Sequence, residues 1–228
     1  MTARSYIVWF TQRVGSTLLT QALEDTNVVG RPREWLNHDL PSDPAAIRAR
    51  LAGDVVAVKY GMTPKLHAEL TAAFRTLAGV DDERAAWDAV FPDCRHVFVT
   101  RRNRVRLAIS WWRAIKSSEW HRPTREGTVA SAVTAANVDD AYDASAIDHL
   151  VREASVREAA IQDVFDRWQV RPLTVVYEDF VASYADTLRA VLAFLDAPAV
   201  DVPPPSYARL ADDTSERWYR RYCYGTSL

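Results

Sequence analysis

The stretch Trp9-Phe10-Thr11-Gln12-Arg13-Val14-Gly15-Ser16-Thr17-Leu18-Leu19 decides how the rest of this chain is read. It opens inside Tyr6–Phe10, a short apolar run rich in β-branched and aromatic residues that has the marks of a buried strand. It closes inside Thr17–Asp25, which carries a helical pattern. Between them lies a polar loop with one glycine, two hydroxyls and an arginine. A strand that turns through such a loop into a helix gathers backbone N–H groups, the Ser16 and Thr17 hydroxyls and the positive end of the helix dipole around one point. The Arg13 cation stands beside them, and together these are the parts of an anion site. A Ser/Thr-rich turn that only caps a helix has the same local spacing.

The loop resembles a P-loop without being one. The nucleotide triphosphatase pattern G-x-x-x-x-G-K-[ST] needs a lysine before the hydroxyl residue, and Gly15 stands there instead. Further on, the run His96–Thr100 leads into Arg101-Arg102, where a magnesium-binding acid would be expected. Extra arginines without a metal ligand suit a ligand that carries both a phosphate and a sulfate, transferred without a metal.

Outward from this loop the chain alternates. Val55–Lys59, His96–Thr100 and Leu173–Tyr177 are three more strand-like runs. Helical patterns occupy Pro64–Ala78, Arg104–Ile115, Ser145–Trp168 and Ala185–Leu195. Strands alternating with helices predict an α/β fold, a P-loop-like three-layer α/β/α arrangement around a central parallel sheet. Residues 117–142 mix charge, small residues and histidine with weak periodicity and are expected to form a lid. The run Val202–Pro205 is a rigid connector to a tail, 206–228, whose arginines and aromatics are expected to pack back onto the domain.

Composition narrows the class. The 228 residues are 48% hydrophobic and 25% charged, which predicts a single globular domain over 1–228 with a sizeable core. Lys plus Arg number 28 against 30 Asp plus Glu, so no general nucleic-acid binder is expected and any anion site is local. Two cysteines, Cys94 and Cys223, fit a reducing compartment. The N-terminus lacks a signal peptide's apolar stretch, and no window reaches the roughly 18 apolar residues of a membrane span. A cytoplasmic location is expected.

The loop Gln12-Arg13-Val14-Gly15-Ser16-Thr17-Leu18-Leu19 is similar to the QRSGSTLL loop of bacterial trehalose 2-sulfotransferase-like enzymes, with Val14 in place of a serine. The resemblance continues through Gly30–Leu36 (G-x-P-x-E-[FW]-[FL]), Ala108–Ala114 (AVS-x-WRA) and Tyr177–Phe180 (Y-E-D-[LF]). It ends at Arg209, Trp218 and Arg221-Tyr222 (R-Q-x-D…W…R-[YF]). The matches run in order over nearly the whole chain. They imply a sulfotransferase that takes its sulfuryl group from 3′-phosphoadenosine 5′-phosphosulfate (PAPS) and passes it, without a metal, to a hydroxyl of a carbohydrate or other small-molecule acceptor. Related enzymes form dimers, so a homodimer is implied as well.

The same resemblance distributes the work. Gln12, Arg13, Gly15, Ser16 and Thr17 hold the 5′ end, with Arg13 set to stabilise the leaving oxygen. Arg101 or Arg102, with Ser110, holds the 3′-phosphate; counting back from Ser110 leaves both arginines open. Arg106 and Arg113 look like the solvated face of an arginine-rich helix. Arg209 closes over the nucleotide, although the family's following glutamine is Leu210 here. Glu34 is implied as the general base, since a partly buried carboxylate suits proton abstraction from an alcohol; His38 is its rival. Lys59, at a strand end facing the crevice, is expected to contact the sulfate or the acceptor. Trp111, Trp112 and Trp120 suit an aromatic or apolar acceptor. A P-loop-like nucleotide kinase and a non-catalytic nucleotide-binding module are the alternatives.

Overall fold

The computed structural model describes residues 5–38, 55–118, 120, 141–207 and 212–225. Four strands, β1 (Ser5–Phe10), β2 (Val56–Gly61), β3 (Cys94–Thr100) and β4 (Leu173–Val176), make one parallel sheet in the order β2-β1-β3-β4. All six residues of β1 are buried, as befits a central strand covered on both faces. Their side chains alternate. Tyr6, Val8 and Phe10 enter one core with Leu19, Leu23, Leu107, Phe180 and Val191, while Ile7 and Trp9 enter another with Tyr60, Phe74, Trp87, Phe165 and Trp168.

Helices α1 (Ser16–Asp25), α2 (Trp35–His38), α3 (Pro64–Ala78) and α4 (Glu83–Val90) precede or flank β2, and α5 (Arg104–Ser117) follows β3. Helix α6 (Ala144–Trp168) leads into β4. Then come α7 (Tyr177–Ala182), α8 (Tyr184–Phe194) and α9 (Asp213–Tyr224). The expected α/β class and parallel sheet are present, with helices on both faces. Strand β4 closes one residue earlier than expected, so Tyr177 opens α7. Helix α3 starts where Thr63 accepts the N–H of Leu66 and Pro64 fills the first turn. Four helices were not foreseen: the short α2 and α7, and the longer α4 and α9. Asp82 caps α4 by accepting from the Ala85 N–H, and α9 lies in the polar tail, anchored by buried Trp218.

Among the described residues no helix is long and apolar enough to cross a membrane, and no three metal-ligating side chains cluster. The expected lid falls almost wholly outside the described residues, as does Arg209.

Candidate active site

From β1 the chain goes out to β2 on one side and later to β3 on the other. The sheet therefore splits its helices beyond the carboxyl ends of β1 and β3, the place where open α/β sheets take ligands. A cleft of about 950 Å³ lies there. Gln12, Arg13, Gly15, Ser16, Thr17, Glu34, Lys59, Arg101 and Ser110 all line it.

The loop after β1 is shaped by two left-handed residues, Arg13 (φ 65°) and Gly15 (φ 86°). Gly15 has a second constraint: a Cβ there would lie 2.4 Å from Cδ2 of Tyr177. Only glycine fits both. Val14, the departure from the family loop, is fully buried in the core beneath. Helix α1 begins at Ser16 with no side-chain cap and no acid in its first turn. Its first N–H groups therefore face the cleft as donors, backed by the helix dipole. Gln12 is held from α6, its Oε1 accepting from Arg157 at 2.8 Å.

The turn after β3 supplies the next cations. Arg101 is buried; its guanidinium lies 4.6 Å from the Tyr177 ring centroid and donates to the Arg13 carbonyl at 3.3 Å. Arg13 in turn donates through Nε to Ser110 Oγ at 3.0 Å and also bonds the Trp120 carbonyl. Arg102 goes elsewhere. It is 61% exposed, pairs with Asp179 at 2.6 Å, and does not line the cleft. Of the two arginines left open by spacing, the cleft contains Arg101.

On the opposite wall Lys59 Nζ lies 2.8 Å from Thr17 Oγ1 and 2.7 Å from Glu34 Oε1. The lysine side chain is only 7% exposed. Burial pulls its ammonium below the usual lysine value; Glu34 opposes the shift, and Arg13 and Arg33 add to it. Glu34 reaches Lys59 because its segment runs along the outer edge of β2. Arg33 bridges Val58, its carbonyl accepting the Lys59 N–H at 3.0 Å, and the Asn37 amide clasps Gly61 through both backbone groups. His38 ends α2, and its side chain lies outside the described part of the structure.

Two further expectations need correction. Arg106 and Arg113 are not a solvated face: both line the cleft and hold α9. Arg106 pairs with Glu216 at 2.8 Å, and Arg113 forks onto both oxygens of Asp212 at 2.6 and 2.8 Å. Burial works to raise Asp212, but Arg113 and the Ser215 donors outweigh it and hold its carboxyl below the usual range. Trp111 is buried in the core, and Trp112 donates to the Ala141 carbonyl; of the three tryptophans offered for an acceptor, only Trp120 lines the cleft. Tyr177, which also lines it, carried a motif but no assigned task.

The Stf0 sulphotransferase family model matches residues 5–59 and 50–224. The chain belongs to the Stf0 sulphotransferase family. Two relatives of this Stf0 protein are the trehalose 2-sulfotransferases of Mycolicibacterium smegmatis and Mycobacterium tuberculosis. They are 25% and 26% identical to it, over 96% of this chain and 94% of theirs. A solved sulfotransferase from Alicyclobacillus acidocaldarius shares the fold at a TM-score of 0.50 and 17% identity, covering 97% of this chain and 92% of its own. As a Stf0 sulphotransferase the protein catalyses sulfuryl transfer.

Proposed function

We propose that this Stf0 sulphotransferase acts as one domain that moves a sulfuryl group from PAPS to a hydroxyl of a small-molecule acceptor, with Glu34 as general base. One observation carries the proposal: Lys59 Nζ joins Thr17, at the start of α1, to Glu34 within 2.8 Å on each side. The carboxylate that would accept a proton is thus one ammonium away from the donors that would hold an anion.

The residues fit the co-substrate. Gly15 keeps the loop open where a side chain would collide, the start of α1 offers uncapped N–H groups, and Arg13 and Arg101 place two cations in adjoining parts of one cleft. PAPS supplies the sulfuryl group when bound. Ser16, Thr17 and the N–H groups of α1 hold its 5′ end, while Arg101 and Ser110 hold the 3′-phosphate. Arg13, in the same loop as Ser16 and Thr17 and bonded to Ser110, would steady the charge that builds on the oxygen bridging phosphate and sulfur as that bond breaks. Lys59 fixes the Glu34 carboxylate beside the acceptor hydroxyl, and Glu34 takes its proton. The names of the two mycobacterial relatives favour a carbohydrate acceptor, and Trp120 on the cleft wall offers a sugar or an aromatic ring a face to stack on.

Glu34→Gln tests the assignment. Turnover of labelled PAPS on a panel of sugars and phenols is expected to fall about 10²–10⁴-fold, the usual worth of a general base. Calorimetric affinity for adenosine 3′,5′-bisphosphate is expected to stay unchanged. Unchanged turnover would remove Glu34 and shift attention to His38. A wild-type protein that does not bind the bisphosphate would sink the PAPS reading.

A further inference from the structure

The Tyr177-Glu178-Asp179-Phe180 run follows β4 without a loop. The register of the sheet decides its neighbours. Thr100 pairs with Val176, so the next residue on each strand, Arg101 and Tyr177, emerge side by side at the carboxyl edge. The Tyr177 ring underlies the Arg101 guanidinium at 4.6 Å, and its Cδ2 fills the space that a Gly15 side chain would need. One ring therefore abuts both the loop after β1 and the turn after β3.

Glu178 grips that turn. Its two carboxylate oxygens accept the backbone N–H groups of Arg102 at 2.9 Å and Asn103 at 3.1 Å, and Oε1 stands 3.8 Å from Arg101 Nε. A bare carboxylate beside an anion pocket would repel the ligand; here its negative charge is taken up by donors of the turn. Burial works to raise Glu178, but these donors and Arg101 outweigh it, so the group stays ionised near neutral pH. Asp179, one residue on, pairs with Arg102 at the surface.

We infer that Tyr177 and Glu178 are positioning residues that set the 3′-phosphate arm of the cleft, Arg101, against its 5′ arm at Gly15. This rests on the PAPS reading above. Glu178 does not line the cleft and acts through Arg101; Tyr177 ties Arg101 to the loop. The ligand class that senses them is an adenine nucleotide carrying phosphates at both the 3′ and 5′ positions.

The test is the ratio of two dissociation constants, for adenosine 5′-monophosphate and for adenosine 3′,5′-bisphosphate, measured by calorimetry. That ratio isolates the value of the 3′-phosphate. Glu178→Ala and Glu178→Gln are expected to lower it about tenfold, within the coupling seen among members of one hydrogen-bonded network. In an Arg101→Ala background, Glu178→Ala is expected to lower it no further. Tyr177→Leu is expected to weaken both ligands, because it unseats Gly15, and to lower the ratio several-fold as well, because it releases Arg101. Melting curves guard against misfolding, and Glu178→Gln keeps shape and one acceptor if the alanine variant is unstable. A role in stability alone would weaken both nucleotides equally and leave the ratio at the wild-type value, which overturns the inference. So does an undiminished Glu178 effect without Arg101. Failure of wild-type protein to bind the bisphosphate would instead overturn the PAPS reading itself.

Discussion

Gly15 shows what one residue contributes to the cleft. Its backbone is left-handed and its missing side chain is occupied by the Tyr177 ring. Gly15→Ala adds both strain and collision. A stability loss of about 1–3 kcal/mol is expected for the backbone conformation alone, with bisphosphate binding lost as Tyr177 is driven off Arg101. Thermal melting and calorimetry together check this, and wild-type affinity in the variant would show that the ring yields freely. At this scale the loop was legible in sequence, because Gln12, Arg13, Gly15, Ser16 and Thr17 lie within one six-residue stretch and all line one cleft. The partners of the loop were not legible. Spacing from Ser110 cannot tell which of two adjacent arginines turns inward; that is settled by Asp179, which holds Arg102 at the surface, and by Tyr177, which receives Arg101. Lys59 was expected to end its strand; β2 runs on to Gly61, so Lys59 lies within it, and its contact with Glu34 depends on the bridge between Arg33 and Val58.

Among the elements, those with a strong apolar period were readable. Helix α3 spans the predicted Pro64–Ala78, and its buried Leu70 and Phe74 face the core. Helix α4 is short, yet its signals were present: Asp82 in cap position and Ala86, Trp87 and Val90 on one side. Helix α9 is harder, since Trp218 is its one buried residue and charged pairs hold the rest. Its start is the element most open to test. Asp212 both caps the helix, accepting from the Ser215 N–H at 3.0 Å, and receives the Arg113 fork. Asp212→Ala is expected to cost about 1 kcal/mol through the cap and to speed hydrogen exchange across 213–224 relative to α3. Equal exchange rates in variant and wild type would mean that α9 is held by Trp218 and the Arg106–Glu216 pair alone.

At the scale of the whole molecule, buried histidines in the aromatic core on one face of the sheet tie stability to pH. Trp9 donates to Nδ1 of His96 at 3.0 Å, so the buried imidazole must be neutral. Burial pushes His96 down to about 4, with Arg84 adding to the effect. The unfolded imidazole takes its proton near pH 6.5, so this stability is fully present above about pH 6.5 and is lost as pH falls through the folded value. The loss amounts to about 3 kcal/mol. Burial lowers His67, in the same core, so its contribution has the same sign. Urea midpoints measured from pH 7 down to pH 4.5 should fall accordingly, and His96→Gln, which keeps an acceptor without titrating, should flatten the decline. An identical slope in the variant would place the acid sensitivity elsewhere.

The single bridge between Arg33 and Val58 has a consequence for how such a protein diversifies. The central crevice between β1 and β3 is built into the middle of the sheet, while Glu34 hangs from its outermost strand. Changes in that edge segment that keep Glu34 and its tie to Val58 would reshape how an acceptor is met, while the anion pocket at the centre of the sheet stays as it is.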